Sequence, residues 1–255
     1  MEIVPSTFLA LAAVILMIIR GPSRAVVIFM ATTPFGAAAA FNLPAVGGAT
    51  IGVTDLAAVA IFGLVFIMPK GPSRIAGTMR PWQPGFYLLL LGVFCVISAM
   101  FFPRLFLGET DVFSIARINN QNGIISLPLR PTTGNITQLF RMTLGIATFL
   151  ALATLLRLRP DDKIIVTALT VATVINIGLG LLDLATFATG LQALMEPIRT
   201  ANYSMLIESR MAGIKRMVGG FPEASSFGYY TLGLFGFWLQ YWIAAPKSRR
   251  APWLL

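Results

Sequence analysis

The chain is predicted to be an all-α membrane protein, a transmembrane bundle of about seven helices, and three features of its composition indicate this fold class. Hydrophobic residues make up 56% of the sequence and charged residues only 11%, whereas a soluble globular domain carries about 25% charged residues. Mean hydropathy is +0.80. The apolar runs are too many and too evenly distributed for a signal peptide. We expect a single integral membrane domain over residues 1–255.

A membrane-spanning helix needs roughly 17–25 predominantly apolar residues. The predicted spans, of which the first and third are short, are residues 4–19, 25–41, 54–68, 85–102, 137–156, 164–189 and 227–244. Two turns repeat almost letter for letter, Arg20-Gly-Pro-Ser-Arg24 and Lys70-Gly-Pro-Ser-Arg74. Because glycine followed by proline ends a helix, and cations suit its C-terminal dipole, both turns are predicted to be helix stops.

Lysine and arginine are unevenly divided between the segments that connect the spans. Eleven lie in short segments, which are 20–24, 69–84, 157–163 and 245–255. Seven lie in the alternate set, which comprises the N-terminus, 42–53, 103–136 and 190–226. The positive-inside rule therefore predicts that the N-terminus and the two long loops, 103–136 and 190–226, are extracytoplasmic and that the C-terminus is cytoplasmic. These cations also account for the net charge of +9 without a nucleic-acid partner.

The sequence lacks the residues and motifs on which histidine catalysis, disulfide formation, nucleotide binding and metal binding depend. The chain has no histidine, and its one cysteine, Cys95, lies inside an apolar run where packing is its expected role. No phosphate-binding glycine loop, dinucleotide fingerprint or metal-ligand spacing occurs in the sequence. We therefore expect neither a metal nor another cofactor.

Residues 201–218 have the apolar periodicity of an amphipathic helix, which is predicted to lie on the extracytoplasmic membrane surface or over a cavity. Lys215 and Arg216 fall on the polar arc of this helix, and Arg210 projects from the middle of the apolar arc. Two interpretations of Arg210 stay open. It extends to lipid headgroups, or it points into a site for a lipid diphosphate.

Arg216 precedes the pair Gly219-Gly220, where bare backbone can approach a ligand closely. Pro222 and Glu223 follow and fit the first turn of the next helix. Arginine binds phosphate through a planar fork, and an adjacent helix N-terminus favours an anion, so a diphosphate site is predicted here. The alternative is a juxtamembrane arginine on headgroups. Glu223 either complements the helix dipole or accepts a proton from an attacking hydroxyl.

Asn176, Gly180 and Asp183 follow the spacing of one face of the sixth predicted span. Ionisable residues in membrane helices usually face the bundle interior and have a partner. Arg141, at a comparable predicted depth in the fifth span, is the expected partner of Asp183. A structural ion pair and a supporting role in a site both remain open.

The stretch from Arg216 through Gly219, Gly220 and Phe221 to Pro222-Glu223-Ala224-Ser225 resembles the signature of the bacterial O-antigen ligase and polysaccharide polymerase superfamily. The resemblance implies metal-independent transfer or polymerisation of an undecaprenyl-diphosphate-linked oligosaccharide at the outer face of the inner membrane. It also implies membrane lipids and polysaccharide assembly proteins as partners. Members of the ligase type use a histidine that this chain lacks. They usually carry further spans, so we expect a natural short form or an N-terminal portion.

The charge pattern of residues 210–223 and the resemblance together predict roles for these residues. Arg210, Lys215, Arg216, Gly219 and Gly220 would bind the diphosphate, and Glu223 would be the catalytic base. The rival hypothesis is a transporter or a non-catalytic membrane partner of a polysaccharide assembly system. Transporters often break helices at the membrane midplane. The predicted break here lies at the outer surface, which favours the enzyme.

Overall fold

A computed structural model describes residues 1–44, 49–118, 121–203 and 205–244. These residues are mostly helical. Their α-helices are α1 (Pro5–Thr32), α2 (Val53–Phe66), α3 (Gly71–Thr78), α4 (Pro84–Leu105), α5 (Thr133–Leu158), α6 (Asp162–Thr189) and α7 (Ala224–Ala244). Three antiparallel hairpins join β1 (Ala39–Leu43) to β2 (Ala49–Gly52), β3 (Asp111–Ile118) to β4 (Gln121–Pro128), and β5 (Arg210–Met211) to β6 (Ile214–Lys215). A 3-10 helix occupies Gln192–Ile198.

Four of the described helices, α1, α4, α5 and α6, are long and apolar enough to cross a membrane. A fifth candidate arises if α2 and α3, which are separated by a bend, are counted as one span. The protein is therefore a membrane protein by the apolarity of its helices, as its composition predicts. The seventh predicted span corresponds to α7, and its crossing of the membrane stays a prediction. The basic segment 245–255 lies outside the described residues.

Contacts divide the chain into two compact units, the first comprising Met1–Leu64 with Arg159–Leu255 and the second Val65–Leu158. In the second unit α5 packs against both α3 and α4. The Arg157 guanidinium donates to the carbonyl oxygen of Gly77 (3.1 Å) and to the Gln83 side chain. The long loop predicted at 103–136 contains the β3–β4 hairpin, which pairs Asp111 with Pro128 at its base.

In the first unit, α1 reverses direction at the predicted stop. Gly21 has φ +75° and is followed by Pro22, so helical backbone is broken there. Ser6 and Thr7, at the start of α1, donate hydrogen bonds of 2.6 Å to the carbonyl oxygens of Ala39 and Ala40. A straight helix over Pro5–Thr32 would be about 40 Å long, and the seven residues that follow could extend back only about 25 Å. The two halves of α1 therefore form a helical hairpin, and the 28-residue length that makes α1 a candidate span belongs to both halves together.

The second predicted span, 25–41, is wrong at its C-terminal end. Helix ends at Thr32, and Ala39–Leu43 forms strand β1. Asn42 in this strand is buried and bonds to both sides. Its Nδ2 donates to the carbonyl oxygen of Thr200 (2.9 Å), and its Oδ1 accepts from Thr50 Oγ1 (2.9 Å). These tertiary bonds, and the reversal of α1, override the helical propensity of the alanines at 37–40.

Residues 201–218 do not form the predicted amphipathic helix in the part that the structure describes. They contain the β5–β6 hairpin, whose two-residue turn is Ala212 (φ +51°) and Gly213 (φ +80°). Positive φ at both turn positions matches the type I′ turn that suits a tight β-hairpin. Glycine also weakens a helix interior by about 1 kcal/mol. The prediction of an amphipathic helix here is wrong, although the sequence has the apolar periodicity of one.

Candidate functional site

Asp183 is the centre of the charged cluster at the C-terminal end of α6. Its side chain is only 2% exposed. The Arg199 guanidinium donates to Oδ1 at 2.8 Å, and the Lys215 ammonium contacts the two carboxylate oxygens at 3.1 and 3.0 Å. Both cations are themselves more than nine-tenths buried. Arg141 was the predicted partner, but the ion pairs of the described residues assign Asp183 to Arg199 and Lys215 instead.

Two backbone N–H groups complete the environment of this carboxylate. Those of Val218 and Gly219 donate to Asp183 Oδ2 at 2.9 and 3.3 Å. Arg199 in turn donates to the carbonyl oxygen of Gly219 at 2.8 Å. Buried charges are tolerated when they are paired and their remaining hydrogen-bonding capacity is satisfied. Asp183 thus fastens the segment 215–219 to α6.

The β5–β6 hairpin carries three of the predicted site cations. Arg210 and Lys215 are cross-strand partners, and each lies 5.2 Å from the centre of the Phe187 ring, one turn beyond Asp183 on α6. Cations at this distance from an aromatic face are attracted by its quadrupole. Arg216 lies directly after the end of β6, and its backbone N–H donates to the carbonyl oxygen of Ser209 at 3.0 Å. Arg216 is exposed, with no side-chain partner among the described residues.

The hairpin therefore separates the predicted diphosphate ligands into two groups. Lys215 is engaged by Asp183 and is not available as predicted. Arg210 is exposed but lies against Phe187. Arg216 is exposed, and its guanidinium has no partner in the part of the chain that the structure describes, so it is the candidate that the geometry favours.

Gly219 and Gly220 serve close packing in this structure. A Cβ on Gly220 would lie 2.4 Å from the carbonyl oxygen of Pro34, and one on Gly219 would lie 2.9 Å from the Phe227 ring. Gly219 also has φ +58°, which favours glycine. The space beside these two glycines, which was predicted for a ligand, is occupied by Pro34 and Phe227 of the chain itself. The Gly220 carbonyl oxygen accepts from Ala37 N at 2.8 Å and extends this packing.

Glu223 lies directly before α7, which begins at Ala224, so Pro222 is two residues outside the helix rather than in its first turn. The Glu223 carboxylate is partly exposed and accepts from Ser226 Oγ at 3.3 Å. This contact joins two side chains across the first turn of α7.

The segment 206–209 forms backbone hydrogen bonds at both of its ends, one beside Glu223 and one to Arg216. Leu206 N donates to the carbonyl oxygen of Pro222 at 2.8 Å, and Arg216 N donates to the carbonyl oxygen of Ser209 at 3.0 Å. The two predicted site residues therefore flank the same four residues. Asp183 anchors one end of this arrangement, and the start of α7 anchors the other.

A cavity of about 170 Å³ adjoins the cluster. It is lined by Asp183, Gln192, Met195, Glu196, Arg199, Met205, Ile207, Glu208 and Lys215. Carboxylates, an amide and cations alternate on its wall, so it offers both donors and acceptors to a small polar group. This composition suits hydroxyl groups better than a lone anion.

Arg199 and Phe187 are the residues at this site that sequence reasoning missed. Arg199 was counted only among the loop cations. One signal could have found it: a buried Asp183 needs a cation, and Arg199 is the nearest one that follows along the chain. Phe187 lies four residues after Asp183 on the same helix face.

The chain was compared with protein-family models, with curated proteins and with solved structures, and none of them matches it. Its function is therefore inferred from the site itself.

Proposed function

We propose that the chain is an inner-membrane protein that takes part in transfer or polymerisation of undecaprenyl-diphosphate-linked oligosaccharide during surface or exopolysaccharide assembly. The observation that carries the proposal is Arg216. It is exposed on a hairpin that Asp183 fastens to a candidate membrane helix, and it flanks, together with Glu223, the segment 206–209. The resemblance of residues 216–225 to the ligase and polymerase signature supports the same function.

Arg216 would bind the diphosphate. A guanidinium offers five donors in a planar fork, which matches two phosphate oxygens at once. Arg199 and Lys215 are engaged by Asp183, so the exposed cations Arg210 and Arg216 would provide a local positive potential on the hairpin. This potential favours an anionic lipid carrier at the membrane surface.

Glu223 would be the base in glycosyl transfer. An acceptor hydroxyl attacks the anomeric carbon of the lipid-linked sugar, and its proton passes to the Glu223 carboxylate. The bond between that carbon and the diphosphate oxygen breaks, and the electron pair leaves with the carrier diphosphate. Arg216 would stabilise the charge that develops on this leaving group.

The predicted topology places this site outside the cytoplasm. Lys163 and Asp183 lie about 20 residues apart on α6, and thus about 30 Å along its axis, which equals the thickness of the hydrocarbon core. The short basic segments 20–24 and 157–163 adjoin the N-terminal end of α6. With these segments cytoplasmic, the Asp183 cluster and Arg216 would face the outside, where the acceptor polysaccharide grows.

Replacement of Arg216 tests the proposal. Arg216→Ala and Arg216→Lys should both weaken binding of undecaprenyl-diphosphate-linked oligosaccharide by about tenfold or more, because lysine keeps the charge but loses the fork. Binding to the purified full chain in nanodiscs would be measured by displacement of a fluorescent lipid-diphosphate analogue.

Arg80→Ala, in a segment predicted to be cytoplasmic, is the matched control and should bind as the unaltered chain does. Glu223→Gln should bind normally, because its predicted role begins after binding. If the Arg216→Lys variant binds with wild-type affinity, Arg216 does not bind the diphosphate through its bidentate fork. Absence of any binding by the unaltered chain would reject the proposed function.

A further inference from the structure

A second charged feature lies in the first unit, at the N-terminal end of α6, and the proposed function does not use it. It is a groove of about 400 Å³ between α1 and α6. Its lining consists of Leu16, Arg20, Arg24, Val27, Ile28, Lys163, Ile164 and Thr167. Three cations therefore share one concave surface whose other walls are almost entirely apolar.

The reversal of α1 assembles this groove. Arg20 and Arg24 flank the break at Gly21, and the second residue of α6 contributes Lys163. The ion pairs found in the described ranges leave all three cations without a carboxylate partner. Asp161, the nearest acid before α6, is engaged in capping, since its carboxylate accepts from the backbone N–H of Lys163 at 3.0 Å.

The depth of the groove matches a lipid headgroup. Lys163 lies about 30 Å along α6 from Asp183, so the two charged features lie at opposite ends of a helix as long as the hydrocarbon core is thick. The cations occupy the end of this helix, where headgroup phosphates lie. Leu16, Val27 and Ile28 provide the apolar wall along which an acyl chain can pack.

We propose that this groove is a binding site for one anionic phospholipid, with the headgroup phosphate on Arg20, Arg24 and Lys163 and an acyl chain along the apolar wall. The lipid is expected to be anionic because the groove carries three cations. Basic pockets between transmembrane helices bind such headgroups, and each cation near the membrane surface adds to the attraction. The site does not depend on the function proposed above.

Lipid selectivity tests this site. The full chain in neutral detergent would be titrated with phosphatidylglycerol or with phosphatidylcholine of the same acyl chains, and bound lipid would be counted by native mass spectrometry. We expect one phosphatidylglycerol per chain at concentrations where phosphatidylcholine does not bind. Glycerol phosphate, which has the headgroup without the chains, should compete only weakly, because the apolar wall contributes to binding.

Substitutions locate the site. The double variant Arg20→Gln with Lys163→Gln should lose affinity for phosphatidylglycerol by about an order of magnitude or more. Arg20→Lys with Lys163→Arg keeps the charges and should retain binding, which shows that a loss is not a folding defect. The control is Arg74→Gln in the second Gly-Pro-Ser turn, outside the groove.

Three results of the lipid titrations would overturn the proposal, and so would one result with glycerol phosphate. They are equal binding of the two lipids, unchanged phosphatidylglycerol binding by the double glutamine variant, and an equal loss in the Arg74→Gln control. The last result would mean that cations at the membrane surface attract anionic lipid without a defined site. Tight binding of glycerol phosphate alone would mean a free phosphate site instead.

Discussion

At the scale of the residue, Asp183 connects the candidate membrane helix α6 to the loop that follows it, residues 190–223. One carboxylate receives two side-chain cations and two backbone N–H groups from residues 199–219, all from the loop that follows its own helix. Removal of the carboxylate leaves both cations buried without compensation, because it offset their desolvation. The position of Arg216 therefore depends on a residue that does not contact any proposed ligand.

Asp183→Asn should lower the free energy of unfolding by about 3 kcal/mol or more, since it leaves Arg199 and Lys215 buried with no counter-charge. Thermal unfolding of the purified chain in detergent, followed by the far-UV signal, measures the effect. Asp162→Asn, at an exposed position in the first turn of the same helix, is the matched control and should change stability by less than about 1 kcal/mol.

The double variant Asp183→Asn with Lys215→Met should recover part of this loss, because it removes one of the two stranded cations. Equal unfolding temperatures for Asp183→Asn and Asp162→Asn would show that the cluster contributes little to the fold.

The sequence alone predicted that Asp183 is a buried, paired carboxylate, but it did not predict its partners, Arg199 and Lys215. A carboxylate in an apolar helix predicts a buried, paired group, and Asp183 is one. Estimated depth in the membrane suggested Arg141, yet depth contains no information about which helix or loop is adjacent. Arg199 and Lys215 reach Asp183 because the chain turns back at Gly190, which has φ +74° at the end of α6.

At the scale of the element, glycines allow the loop before α7 to contact the segment between α1 and β1. Gly220 leaves space for the Pro34 carbonyl oxygen, and its own carbonyl oxygen accepts from Ala37 N. Phe221 packs beside Phe227 and Tyr230 of α7. The loop before α7, the segment that follows α1, and α7 thus contact one another here.

Gly220→Ala should destabilise the protein by about 1–3 kcal/mol, because the new Cβ would lie within 2.4 Å of a backbone oxygen that has no rotamer to change. The unfolding temperature of the purified chain measures the cost. Gly228→Ala, in α7, meets nothing within 4 Å and should be neutral or stabilising. Equal behaviour of the two variants would contradict the close packing.

Periodicity predicted the helices better than the connections. The sixth and seventh predicted spans begin within three residues of α6 and α7, because long apolar runs leave few alternatives to a helix in lipid. The stretch 201–218 had the same period and forms a hairpin instead. There Gly213 and the anchoring of Lys215, Val218 and Gly219 to Asp183 decide the backbone, and neither effect alters the hydrophobic pattern.

At the scale of the whole molecule, the first unit has charge at both ends of α6. The Asp183 cluster with Arg216 lies at one end, and the groove with Arg20, Arg24 and Lys163 lies at the other, about 30 Å away. Composition predicted a membrane protein, and segregation of the cations predicted two faces. The reversal of α1 then brings Ser6 and Ala39 together at the end that carries the cluster.

The most direct test determines on which side of the membrane each end of α6 lies. Met211→Cys, at a position 71% exposed, and Asp162→Cys, at an exposed position, would be made singly in a Cys95→Ser background. Intact cells would be treated with a membrane-impermeant thiol reagent. We predict that Met211→Cys reacts in intact cells and that Asp162→Cys reacts only after permeabilisation. Reaction of both in intact cells would mean that α6 does not cross, and the reverse pattern would place the Arg216 site in the cytoplasm, away from the proposed reaction.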